Sequence, residues 1–74
     1  MSVDMINNPP HYNNGSIEFL VYLKQQLGKQ GFISFLEASV MKYMHRHKLK
    51  DANIQDLEKA NFYLNRLIEE YKNL

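Results

Sequence analysis

The sequence predicts an all-α fold: a small three-helix domain behind an extended, Pro-containing N-terminal leader, assembling as a homo-oligomer. Three observations carry that expectation. Apolar residues after residue 16 recur at steps of three and four, the spacing of one helix face rather than the alternation of a strand. Turn-forming residues gather before residue 16, at Gly28–Gly31 and in a polar stretch at 48–53, which divides the chain into three helical segments. Finally, 74 residues enclose only one modest core, although 45% of them are hydrophobic, with five Tyr and four Phe. Cysteine is absent, so neither a disulfide nor a thiolate zinc site can reinforce that core, and self-association is the reinforcement left.

The leader spans residues 1–15. Its run Asn7-Asn8-Pro9-Pro10-His11-Tyr12-Asn13-Asn14-Gly15 is dense in turn formers, and the Pro pair excludes a regular helix. It is read equally as a binding segment and as a strap across apolar surface. Ser16 is placed to cap a first helix over about 16–27, with Ile17, Leu20, Leu23 and Leu27 on one face. Gly28 is expected to end it as a left-handed cap. The second helix is expected over about 32–47, with Phe32, Leu36, Val40, Tyr43 and His47 on one face; its first half is apolar all round, which predicts contact with more than one neighbour. The third, over about 54–72, has Asn53 as its expected N-cap and Asp56 and Glu58 in a first turn that favours negative charge. Leu57, Ala60, Leu64, Leu67, Tyr71 and Leu74 alternate steps of three and four, a seam suited to near-parallel helix packing. Phe62 lies well off that seam and is expected to meet the leader or a second subunit.

Net charge is +1, but the cations are not spread evenly. Residues 42–50 hold four fixed cations, two His and no acid, whereas the rest of the chain has five Lys or Arg against eight Asp or Glu. Lys42 and Arg46 share a helix face, with Ser39 one turn before them, and Lys50 can fold back from the link. Arg offers a planar fork of donors and Lys a point charge, the pairing that phosphate recognition uses. Cations near a helix C-terminus are also favoured by the helix dipole, so spacing alone fits a solvated helix end as well. His45 and His47 point to opposite sides of a helix and cannot hold one metal ion together, and His11 is remote from both. No P-loop, nucleophile elbow or dinucleotide fingerprint is present. No apolar run reaches the length of a membrane span, and the first residues lack the features of a signal peptide, so a cytoplasmic protein without a membrane partner is expected. A helix-turn-helix on DNA is disfavoured by the six-residue link and the low net charge.

Four short motifs occur in order: Asn8-Pro9-Pro10-His11-Tyr12, then Gly15-x-Ile17-Glu18, then Lys42-Tyr43-x-x-Arg46-x-x-x-Lys50, then Asp56-Leu57-x-Lys59-Ala60-x-x-Tyr63-Leu64-x-Arg66-Leu67-Ile68. Together they resemble the small SaV-like domain family of tailed phages, whose members are described as nucleotide kinases or kinase-like. The resemblance implies a phage protein acting in the host cytoplasm, with nucleotide as ligand. Position by position it marks His11, Tyr12, Lys42, Tyr43, Arg46, Lys50, Asp56, Lys59 and Arg66. Met44 and Phe62 stand where the family usually has Trp, a departure that bears on base choice. The expected ligand set is Lys42 and Arg46 on phosphate with Lys50, Lys59 and Arg66 assisting, His11 and Tyr12 on base or sugar, and Tyr43 stacking or hydrogen bonding. The pocket is expected to lie between subunits and to bind a nucleotide or cyclic nucleotide without catalysis, sequestering it, for example as a host immune signal. The alternative implied by the resemblance is a nucleoside monophosphate kinase, which would need ATP and Mg2+; a single 74-residue subunit does not enclose two nucleotides.

Overall fold

A computed structural model of the chain describes residues 15–49 and 51–74, with side chains described from residue 18 onward. Among the described residues every regular element is a helix: α1 runs Gly15–Arg46 and α2 runs Asn53–Lys72. The leader before Gly15, with His11 and Tyr12, the Ser16 side chain and Lys50 lie outside the described residues and side chains. None of the described helices is long and apolar enough to cross a membrane.

Two helices replace the expected three, and Gly28 explains the difference. Its φ of 75° was anticipated, but its ψ of 176° places it outside the left-handed helical region, in a conformation that only glycine adopts readily. It therefore does not cap the first segment. Helical bonding resumes directly after it, and the two segments expected at 16–27 and 32–47 become two arms of one kinked helix. A straight helix of 32 residues would be about 48 Å long. The molecule's longest dimension is 35 Å, so the arms fold toward each other.

The arms and α2 enclose the core. Leu20 from the first arm, Phe32 and Leu36 from the second, and Phe62 from α2 form one buried cluster, with Leu23, Phe35, Tyr63 and Leu67 packed against it. Contacts along the second arm pair it antiparallel with α2: Arg46 meets Asp56, Tyr43 meets Tyr63, and Lys29 reaches Asn73. The first arm instead runs alongside α2 in the same direction, since Lys24 meets Glu70 while Leu20, one turn earlier, joins the cluster of Phe62. The second arm thus has two neighbours, as its apolar first half predicted, and Phe32, Ile33 and Leu36 are buried there.

α2 is rotated from the expected seam. Leu57, Leu64, Tyr71 and Leu74 are exposed, and the face turned inward carries Asp56, Ala60, Tyr63, Leu67 and Glu70. That face keeps the four-three alternation but starts and ends on an acid. Each acid meets cations of α1, which is why polar positions won over leucines. Phe62 is buried with Leu20, Phe32 and Leu36 of its own chain; the leader it was expected to meet lies outside the described residues. The α2 N-cap is Ala52, one residue before the expected Asn53, and it makes no side-chain cap; Asn53 accepts a bond from the Ile54 amide at 2.7 Å.

Candidate functional site

The end of the second arm and the start of α2 bring basic and aromatic side chains together. Tyr43 is half-buried, and its ring lies nearly parallel to that of Tyr63, with centroids 5.9 Å apart. Three cations surround the Tyr43 ring: Lys42 Nζ at 5.4 Å, the Arg46 guanidinium at 5.6 Å and Lys59 Nζ at 5.5 Å from its centroid. Lys42 and Arg46 come from one helix at a spacing of four, and Lys59 crosses from α2. The negative face of the ring attracts each cation and offsets part of their mutual repulsion.

Asp56 fixes the cluster from below. It is 1% exposed, and its Oδ2 lies 3.5 Å from Arg46 Nε. Neither atom has an aligned hydrogen bond, so the contact is an ion pair rather than a directed bond. One buried carboxylate stands against three cations, and Lys42 is exposed. The surface left for solvent is therefore cationic.

Of the residues marked in the sequence, the structure gathers Lys42, Tyr43, Arg46 and Lys59. Arg66 sits elsewhere: its guanidinium lies over Phe32 at 5.5 Å, and its Nε approaches Glu70 Oε2 at 3.4 Å. Ser39, on the same stripe as Lys42 and Arg46, donates its hydroxyl to the Phe35 carbonyl at 2.9 Å and does not serve the cluster. His47 Nδ1 is engaged with the Met44 carbonyl. Asp56 was read from the residues as favoured by the helix dipole and marked by the family resemblance, but its part as the counter-ion of Arg46 was missed. A signal existed, because Asp56 precedes Ala60, Tyr63 and Leu67 at steps of four, three and four.

A second charged cluster lies at the opposite end of α2. Glu70, 3% exposed, meets Lys24 at 2.9 Å, Arg66 at 3.4 Å and Lys29 at 3.9 Å. Burial pulls its carboxyl upward, but the hydrogen bond and charge of Lys24, then the charges of Arg66 and Lys29, outweigh that and hold it below its ordinary value. Three segments are tied there. An open groove of about 530 Å³ borders this end, lined by Phe62, Asn65, Arg66, Ile68, Glu69 and Lys72, and it includes none of the residues around Tyr43. Among the described residues no group of three metal-ligating side chains occurs.

With this geometry in place, comparison with known families adds one finding. The family model described as a protein of unknown function, DUF3310, matches residues 6–65. The chain belongs to the DUF3310 family. The matched span contains Lys42, Tyr43, Arg46, Asp56 and Lys59 and stops short of Arg66 and Glu70. No curated protein and no solved structure matches this DUF3310 chain.

Proposed function

We propose that the protein binds nucleotide phosphate on the Lys42, Arg46 and Lys59 surface and holds it without phosphoryl transfer. The observation that carries this reading is the convergence of three cations from two helices on one tyrosine ring. Bringing like charges together costs energy that Tyr43 and Asp56 only partly offset, and a polyanion lowers that cost directly. One Arg and two Lys supply the fork and the point charges suited to phosphate oxygens. Tyr43 has one face toward Tyr63 and cations about its ring, so it serves as a platform for the cations rather than a surface for the base. Base contact falls to other groups, for which His11 and Tyr12 of the leader are the candidates.

Binding is favoured over catalysis because Asp56, the carboxylate at the cluster, is buried and committed to Arg46. It cannot reach a substrate hydroxyl or a magnesium ion while that pair holds. The proposed role is retention of a nucleotide, and the small core supports self-association as the working state.

The test is calorimetric titration of the full chain with ATP and with cyclic AMP, with Mg2+ absent and then present. Lys59→Ala and Lys42→Ala should each weaken binding about tenfold, the scale of one charge-assisted hydrogen bond. No ADP should appear on incubation of ATP with AMP and Mg2+. Equal affinity of wild type and Lys59→Ala would sink the phosphate assignment, and the cluster would then be a cation–π fastening between helices.

A further inference from the structure

The outer face of α2 carries a second apolar stripe. Leu57, Leu64, Ile68 and Tyr71 are 37, 42, 43 and 51% exposed, and half-buried Asn61 completes a run at steps of four, three, four and three. This is the repeat by which one helix packs along another, with a single polar position of the kind that sets register. The stripe is roughly 21 Å long at 1.5 Å per residue. Grooves flank it on both sides: Asn65, Ile68 and Lys72 line one, and Leu67 with Val40 and Met41 of α1 lines the other. A ridge between two grooves is the relief into which a second helix fits.

The charges along one edge identify that second helix. Glu58, Asn65 and Lys72 each follow a stripe residue by one position, so they form a row with an acid at one end, an amide in the middle and a cation at the other. Among the described residues neither Glu58 nor Lys72 has an ion-pair partner in its own chain. Two such rows laid antiparallel match acid to cation at both ends. Laid parallel about a two-fold axis, the two rows fall on opposite edges of the interface and do not meet. A two-fold interface requires a self-complementary surface, and this row is one.

We propose that a second copy of this chain docks on the α2 stripe, helix antiparallel to helix, about a two-fold axis near Leu64. The inference specifies the self-association proposed above and is independent of the phosphate site. At about 100° per residue, Lys59 projects roughly 200° from Leu57, on the far side of α2. Each chain therefore carries its own basic cluster, open to solvent, rather than sharing one across this interface.

Charge exchange tests the arrangement. Sedimentation equilibrium of the full chain should show a dimer at micromolar concentration. Glu58→Lys and Lys72→Glu should each raise the dimer dissociation constant about tenfold, because every dimer converts two exposed attractions into repulsions. An equimolar mixture of the two variants should form the mixed dimer in preference to either homodimer by native mass spectrometry, and Glu58→Lys/Lys72→Glu should recover wild-type dimerisation. Circular dichroism should show unchanged helix content in all of them, since the substituted positions are at the surface. A monomeric wild type, or a dimer indifferent to both exchanges and to Ile68→Ser, overturns the interface. Exchanges that weaken the dimer without rescue in the mixture overturn the antiparallel arrangement. ATP affinity of Lys72→Glu should equal that of wild type, so failure of the dimer and failure of the phosphate site are read separately.

Discussion

Asp56 determines what a substitution at Arg46 reports. Arg46→Ala leaves a carboxylate that is 1% exposed without its ion-pair partner, so the variant loses stability as well as a proposed phosphate ligand. Breaking a fully buried pair costs about 3–5 kcal/mol; with Arg46 37% exposed, a loss of about 2–3 kcal/mol is expected. Arg46→Ala/Asp56→Ala should lose less than Arg46→Ala alone, because the stranded charge is gone. Urea denaturation of the two variants and Asp56→Ala closes the double-mutant cycle, and additive losses would show that the two side chains do not interact. Lys59→Ala strands no acid and is the cleaner probe of binding. At this scale Lys42 and Arg46 were legible, because spacing of four on one helix is a local property. Lys59 was legible only through the motif order it shares with a known family, since its arrival at Tyr43 depends on how two helices cross. Asp56 does lie in the first turn of α2, and because that position already has a local explanation its ion pair with Arg46 was missed.

The helical elements follow from periodicity, but their joints follow from backbone geometry that periodicity does not encode. Gly28 and Gly31 mark the first joint in the sequence, and the pair reads naturally as a stop followed by a turn. The structure instead uses each glycine differently. Gly28 occupies φ 75°, where a side chain is strained although nothing lies within 4 Å of its would-be Cβ. Gly31 has ordinary helical geometry, and a Cβ there would lie 2.9 Å from Leu27 Cβ, closer than such atoms approach. Gly28→Ala should therefore destabilise by about 1–3 kcal/mol through backbone strain, and Gly31→Ala should destabilise through a steric clash. Crowding distinguishes the two: Leu27→Ala leaves the Leu27 Cβ in place and should not rescue Gly31→Ala, whereas Leu27→Gly should relieve it in part. Thermal denaturation midpoints of the single and double variants decide this, and unchanged midpoints for both glycine variants would remove the kink from the account. The displaced seam of α2 has a similar origin. Two interleaved stripes, one of leucines and one headed and ended by acids, both obey the four-three alternation; only the cations brought by α1 settle which turns inward.

At the scale of the whole molecule, the all-helical fold was legible and the count of helices was not, because a kinked helix and two helices with a short turn share one apolar pattern. What closes the bundle was also hidden. Glu70 lies 46 residues from Lys24 and 41 from Lys29 in sequence, yet it draws together the first arm, the second arm and α2. Its carboxyl is held below the ordinary value of 4.5, the cations outweighing the burial that acts the other way. A depressed carboxylate contributes stability that is fully present above its unfolded value and is lost as the pH falls through its folded value. Wild-type stability should accordingly be level around neutrality and decline as the pH falls below the ordinary carboxylate value of 4.5 and through the lower folded one. Glu70→Gln keeps the shape and removes the titrating charge. It should be less stable than wild type at neutral pH, where three cations lose their common partner, and its stability should fall less steeply across the acid range. Lys24→Met should also flatten the acid decline, since Lys24 supplies the strongest opposition to burial, although Arg66 and Lys29 keep part of it. Urea midpoints measured across that range give the slopes, and a Glu70→Gln slope as steep as the wild-type one would place the acid sensitivity in other carboxylates. The clasp also bears on the proposed dimer, because it holds α2 against both arms and so keeps the outer stripe presented as a straight ridge. Glu70→Gln should then weaken self-association at neutral pH without touching Glu58 or Lys72, an effect that sedimentation equilibrium separates from the charge exchanges because no second substitution on the stripe rescues it.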